Sequence, residues 1–291
     1  MKFSLFYRAA AALAICISNS RAGAQDSISA ESLGVLLVGD QGKGNPEQLQ
    51  VAQAMQSFCE KNRCDFGILL GDNFYESGVK KVSDQKFKTH FEIPYGKLGI
   101  EFWAILGNHD YGFGWSRGNV QAQIDYSAHS KFWRMPGRYY SFEKSGVEFV
   151  ALDTVALKND QQQLSWMQDK LQAEKKGFRV VLGHYPIHSG GLHGDTDFLR
   201  DQIAPKLCGA AEVYASGHDH HLEHLKSDCG MHLVVSGAGA EKRDVTPTPR
   251  TQFAASTLGF AYLKKESSAE LTIRYYDSEL NLLAEFKINR Q

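Results

Sequence analysis

The feature that most constrains this chain is a recurrence: short apolar runs, each closed by a glycine-bounded turn that carries an aspartate, an asparagine or a histidine. The turns are Gly39-Asp40-Gln41-Gly42, Gly71-Asp72-Asn73-Phe74-Tyr75, Gly107-Asn108-His109-Asp110, Gly183-His184-Tyr185-Pro186 and Gly217-His218-Asp219-His220. Short apolar runs bounded by such turns read as strands. Side chains at strand ends can converge on one edge of a sheet, which is where open α/β architectures place ligands. Five turns of this kind can therefore share one pocket.

Between the turns the pattern alternates strand with helix. Strands are expected over residues 34–38, 66–70 and 102–106, and a helix over 46–58. An aromatic-rich loop over 111–137 leads to a hairpin, 139–142 with 147–152. A helix over 161–175 follows, with Leu164, Met167 and Leu171 on one face. Further strands are expected over 180–182, 212–215 and 233–235, a helix near 197–206, and two or three strands beyond Phe260. Crossovers mixed with hairpins imply two mixed sheets flanked by helices. Residues 240–252, carrying Lys242, Arg243, Pro247, Pro249 and Arg250, read as the one long loop.

The N-terminus reads differently from the rest. Lys2 and Arg8 precede an apolar run over 9–17 that is too short to span a bilayer, and Ala22-Gly23-Ala24 supplies a small-residue cleavage site. Residues 1–24 are therefore expected to be a signal peptide and residues 25–291 a single domain. Export, to the periplasm or the medium, implies an oxidising compartment. Removing the leader removes Cys16 and leaves Cys59, Cys64, Cys208 and Cys229. Three pairings are open, of which the shortest loops favour Cys59 with Cys64 and Cys208 with Cys229. The absence of an Asn-x-Ser/Thr sequon fits a bacterial periplasmic protein. A net charge of −1 gives no basic field for nucleic acid, so a small substrate is expected. No later stretch is long enough to cross a membrane.

The turn residues form a mixed oxygen and nitrogen donor set suited to iron, zinc or manganese. Asp40, Asp72, Tyr75, Asn108, His184, His218 and His220 are too many for one ion and match two ions sharing a carboxylate. Any one of these turns is a weak signal; their order and their place at strand ends make the set specific.

With these motifs the chain resembles the calcineurin-like metallophosphoesterases, and within them the purple acid phosphatases of the small, mammalian-type tartrate-resistant kind. Gly71-Asp72-Asn73-Phe74-Tyr75 carries the resemblance most specifically, supported by Leu152-Asp153-Thr154-Val155, Gly183-His184-Tyr185-Pro186 and Ser236-Gly237-Ala238-Gly239. It extends from about Leu33 to about Ile273. Most metallophosphoesterases open with Asp-x-His; here Asp40-Gln41-Gly42 lacks the histidine, and Tyr75 fills the gap, as in the purple enzymes whose iron-bound tyrosinate gives their colour. Gln41 stands where the family usually has an aromatic residue.

The resemblance implies a four-layer sandwich of two mixed β-sheets flanked by α-helices. It implies ferric iron held by Asp40, Tyr75, His220 and Asp72, and a divalent iron, zinc or manganese held by Asp72, Asn108, His184 and His218. It further implies acid phosphatase activity on phosphate monoesters by in-line attack of a metal-bound hydroxide. His109 and His193 are the implied proton donors to the leaving group. His188 and His221 stand near the motifs, whereas His90, His129, His224 and His232 read as structural or solvated. Tyr111, Phe113 and Trp115 are candidates to border the pocket, and Lys242, Arg243 and Arg250 to form a cationic lip. The alternatives are a phosphodiesterase or nucleotide pyrophosphatase on the same core, or a non-catalytic metal or phosphate binder.

Overall fold

The computed structural model describes Met1 and residues 32–290; apart from that methionine, the expected leader over residues 1–24, Cys16 included, lies outside the described residues. The strands build two seven-stranded mixed sheets. The first runs, edge to edge, through Leu282–Asn289, Glu270–Asp277, Gly259–Lys265, Leu33–Val38, Phe66–Leu69, Glu101–Ala104 and Trp133–Arg134. The second runs through Thr251–Ala255, Leu222–Lys226, His232–Ser236, Val213–Ser216, Phe178–Leu182, Val147–Ala151 and Tyr140–Lys144.

Alternation along the strands explains how the sheets stack. In Leu33–Val38, Val35 and Leu37 face a core shared with Phe149, Val180, Val213 and Val234 of the second sheet. Leu36 and Val38 face the opposite way, onto Val51, Met55 and Phe58 of the helix Pro46–Cys59. On the outside of the second sheet, Val181 and Val235 pack with Met167 of the helix Gln161–Gln172 and with Leu199 and Leu207. Strands buried on both faces have no solvent side to mark with polar residues, which is why they read as continuous apolar runs. The result is helix, sheet, sheet, helix, the four layers expected.

Local signals account for the element ends. The helix Pro46–Cys59 starts with Asn45, whose side chain accepts from the Gln48 N–H, and with proline at its first position. Such a cap is worth about 1 kcal/mol. Gln161–Gln172 is capped likewise by Asp160. It stops short of the expected Lys175 because Ala173 turns to an extended conformation, ψ 144°. Cys59 bonds Cys64, and Cys208 bonds Cys229, the short-loop pairing.

Leu222–Lys226 and Thr251–Ala255 escape the sequence reading, the second cutting into the expected 240–252 loop, as does the two-residue edge strand Trp133–Arg134 inside the expected 111–137 loop. In the first, buried Glu223 and His224 occupy positions that apolar residues usually mark. Three C-terminal strands are present. The 111–137 region holds a small hairpin, Gly112–Phe113 with Ser116–Arg117, and a helix, Val120–Asp125.

His224 and His232 form a buried relay. The Tyr275 hydroxyl donates to Glu223 O at 2.9 Å and stands 3.1 Å from His224 Nδ1, while His224 Nε2 lies 2.8 Å from His232 Nδ1. Both rings fit this chain as neutral species. Burial, then Lys226, pushes His232 down to about 4, and burial, then His232, pushes His224 well below the ordinary imidazole range. A histidine whose folded pKa lies below its unfolded one takes up a proton on unfolding. Its stabilisation is therefore complete above about pH 6.5 and falls as the pH drops through about 4. For His232 alone the loss is on the order of 3 kcal/mol. Denaturant midpoints between pH 7 and 4 should decline less steeply in His232→Gln, which keeps a donor toward His224; an unchanged slope would show that the pair does not titrate as described.

Candidate metal centre

Both sheets direct the ends of their strands to the same edge. Asp40 follows Leu33–Val38, Asp72 and Tyr75 follow Phe66–Leu69, and Asn108 follows Glu101–Ala104. His184 follows Phe178–Leu182, and His218 and His220 follow Val213–Ser216. Asp40, Asp72 and His218 adopt positive φ of 58°, 54° and 71°, an uncommon conformation for residues with side chains. Such strain is typical of positions that a fold holds for function. Backbone contact between turns fixes them, with Asp40 N–H donating to Gly71 O and Gly39 N–H to Ser236 O. Gly107 is required by proximity: a Cβ there would stand 2.2 Å from Asp72 Oδ1.

Two groups of side chains meet at Asp72. Tyr75 Oη lies 2.9 Å from Asp72 Oδ2, 3.2 Å from Asp40 Oδ1 and 3.2 Å from His220 Nε2. On the other side, His184 Nε2 lies 3.4 Å from Asp72 Oδ1 and 3.1 Å from Asn108 Oδ1. The His218 ring packs edge-on to His184 at 5.1 Å between centroids. Potential donor atoms of Asp40, Asp72 and His184 all lie within 4.8 Å of one another, a spacing one ion could span. All seven residues singled out by sequence are thus brought together.

Hydrogen bonds aim the imidazoles. His184 Nδ1 lies 2.8 Å from Leu70 O, so it carries a proton and Nε2 is turned toward Asp72. His220 Nδ1 lies 3.0 Å from Glu241 Oε2, which frees Nε2 toward Tyr75 and Asp40. Partners of this kind fix both tautomer and ring direction in metal sites. Glu241 is itself ionised: its modest burial is outweighed by Lys43, then His220, which hold it down to about 2. Asp110 joins two of the turns by accepting N–H bonds from Gly107 and Asn73. Burial, then Asp72, pushes it up to about 7.

The electrostatics fit a cation. Burial, then Asp40 and Asp72, drives Tyr75 well above the ordinary phenol range, because protein groups alone offer no charge to replace its proton. Burial opposes the ionisation of Asp72, but His184 and then His109 prevail and hold it low; the same pairing lifts His184 to about 9. Burial, then His184 and His193, pushes His218 down to about 2 and keeps it neutral. Carboxylate, phenol, amide and neutral imidazole around one buried point are the donor chemistry of a hard or borderline ion.

Around the rim, His109 donates its N–H to Asp72 Oδ1 at 2.8 Å, and its ring lies between Tyr75 and Phe113 at 4.4 and 5.2 Å. His193 stacks edge-on to His218 at 4.2 Å. Lys242 and Arg243 line a cavity of about 540 Å³ with Gly190 and Leu192, the neighbour of His193 in the chain. Arg250 does not join them: it pairs with Asp228 and lies against His188 in a separate cavity of about 640 Å³. His221 is buried and pairs with Glu223 at 3.0 Å. Gln41 is buried, its amide reaching Asn73 at 3.2 Å while its Oε1 has no partner. Glu241 and Lys43, which lies 5.0 Å over the Tyr75 ring, carry no sequence signal that separates them from surface charges.

The family model described as calcineurin-like phosphoesterase matches residues 33–222. Tartrate-resistant acid phosphatase type 5 of Homo sapiens is 32% identical over 265 residues, covering 78% of this chain and 80% of that protein. Purple acid phosphatase 7 of Arabidopsis thaliana is 32% identical, covering 72% and 71%. Among solved structures, GAP50, described as the anchor in the inner membrane complex of Plasmodium, shares the fold at a TM-score of 0.78 and 23% identity, with 89% of each chain covered. A match across most of the strand-end turns, together with a third of residues shared with acid phosphatases, settles descent: the chain belongs to the calcineurin-like phosphoesterases, in the branch of the tartrate-resistant and purple acid phosphatases, and is a metal-dependent phosphoester hydrolase.

Proposed function

We propose that this chain is an exported acid phosphatase that hydrolyses phosphate monoesters at a pair of metal ions, ferric iron with a divalent iron, zinc or manganese. Asp40, Tyr75 and His220 would hold one ion and Asn108, His184 and His218 the other, with Asp72 between the two groups. The observation that carries this reading is the division of Asp72, with Oδ2 turned to Tyr75 and Oδ1 to His184. Bound there, the ions supply neutralisation of the phosphoryl oxygens and acidification of a water nucleophile.

The rest is done by the chain itself. Asp72 is anchored by the His109 N–H, so the shared carboxylate keeps one orientation. Glu241 and Leu70 O keep the two imidazoles directed inward. His109 and His193 stand at the rim on different turns, with side chains 16% and 34% exposed, enough to meet the leaving oxygen of an ester and give it a proton. The fold alone would not decide for catalysis, since the Plasmodium protein of the same fold is described as an anchor. The donor set and its two rim histidines favour an enzyme. Two disulfides and the leader-like N-terminus support export, and no helix among the described residues is long and apolar enough to cross a membrane.

The test is a comparison of p-nitrophenyl phosphate with bis-p-nitrophenyl phosphate on metal-loaded protein whose N-terminus is sequenced. The monoester should be hydrolysed at least ~10-fold faster, about 1.4 kcal/mol in barrier, by a chain beginning at Gln25. A diester preference would replace the monoesterase reading, and a retained leader would overturn export.

A further inference from the structure

The 217–223 segment presents two sets of side chains. His218 and His220 turn into the donor group, while Asp219, His221 and Glu223 turn the other way, against the loop that carries His193. Asp219 is 2% exposed, and among the described residues its carboxylate forms no hydrogen bond with the side chain of a proposed ligand. Its partners belong to the loop: Ser189 Oγ donates to Oδ2 at 2.5 Å, and the His193 N–H donates to Oδ1 at 3.0 Å. Ser189 Oγ in turn accepts the Gly191 N–H at 3.0 Å. Gly191 lies so close that a Cβ on it would stand 2.5 Å from Asp219 Cγ.

This loop needs an external anchor. Gly190, Gly191 and Gly194 give it more backbone freedom than other residues would. At its base, Asp195 accepts from Ser189 N–H at 3.2 Å and lies 2.8 Å from His188 Nδ1, which closes the loop without fixing its tip. The His193 ring has only a long approach to a carboxylate, 3.8 Å from Nδ1 to Asp219 Oδ1, and is held by its backbone and by His218. A proton donor must stand within hydrogen-bond reach of the leaving atom, and a displacement of about 1 Å can cost up to ~100-fold in rate.

We propose that Asp219 is a positioning residue, whose buried carboxylate pins the 189–193 loop so that the His193 ring stands beside His218 and delivers a proton to the departing oxygen. The proposal rests on the phosphatase reading above. It goes further by assigning a task to the residue between the two histidine ligands, and by making His193 depend on it.

The test uses leaving groups that differ in their need for a proton. p-Nitrophenoxide departs as a stable anion, whereas the alkoxide of glycerol 2-phosphate does not. Asp219→Ala should lower kcat on glycerol 2-phosphate by ~100-fold, and on p-nitrophenyl phosphate by less than ~10-fold. Because Asp219 acts through His193, the double variant with His193→Ala should be no slower than His193→Ala alone. Asp219→Asn, which can still accept from the His193 N–H, should recover part of the loss. Ser189→Ala, outside the ligand-bearing segment, should show the same split at smaller size, and it decides the matter if Asp219→Ala does not fold. Equal losses on both esters, or multiplying losses in the double variant, would overturn the positioning role while leaving the phosphatase reading intact. Metal-loaded wild-type protein idle on both esters would instead remove that reading and this one with it.

Discussion

Asp72→Ala is expected to lose hydrolysis of p-nitrophenyl phosphate by more than ~10³-fold, beyond the loss from removing a single electrostatic donor, and to bind neither ion stoichiometrically. The reason is geometric. Asp72 is the residue common to both donor groups, 2.9 Å from Tyr75 Oη through one oxygen and 3.4 Å from His184 Nε2 through the other. It also receives the His109 N–H, so its removal loosens a turn that carries both Asn108 and a rim histidine. Once it is gone, His184 loses the carboxylate that contributes most to lifting it to about 9. Metal content and steady-state rate on the same preparation check this. A variant that keeps one full equivalent of metal and a tenth of the activity would show that Asp72 serves only one of the two groups.

Tyr75→Phe should erase the visible absorption of the oxidised, iron-loaded protein altogether while leaving the chain folded. Burial beside Asp40 and Asp72 keeps the phenol protonated well beyond its ordinary range when only protein groups surround it. Phenolate therefore forms only when a cation takes the proton's place, and colour reports that exchange directly. Phenylalanine keeps the ring against His109 and removes only the oxygen. The sign of the effect is definite: metal-free wild-type protein and iron-loaded Tyr75→Phe should both be colourless. A variant that stayed purple or pink would place the chromophore on another residue.

The seven donors were legible because their positions follow from simple geometry: a strand that ends at a sheet edge delivers whatever its turn carries to that edge. Tyr75, three residues past Asp72, stands in the same turn, and the family resemblance gave it a specific role as the iron-bound tyrosinate. What stayed hidden were residues whose meaning depends on partners distant in sequence. Glu241 matters because it meets His220, yet it sits among Lys242 and Arg243 in a segment that reads as a polar loop. Asp219 and Asp110 were inside the quoted motifs, but only the folded chain shows Asp219 turned to the 189–193 loop and Asp110 tying two turns together. Leu222–Lys226 escaped for a related reason, since Glu223 and His224 are polar groups buried against one another's neighbours rather than against solvent. Arg250 misled in the opposite sense, because a charge in a loop says nothing about which carboxylate will claim it.

The provenance of the donors carries a final implication. Asp40, Asp72, Tyr75 and Asn108, the oxygen donors of the proposed site, all follow strands of one sheet, and the three imidazoles follow strands of the other. On the proposed assignment each ion takes members of both kinds, so neither half of the sandwich can complete a coordination shell by itself. On that assignment, tight cation binding would require both sheets to be in place, and chelation would loosen the edge where their strand ends meet. The ions would then act as fasteners across the seam between the sheets as much as reagents.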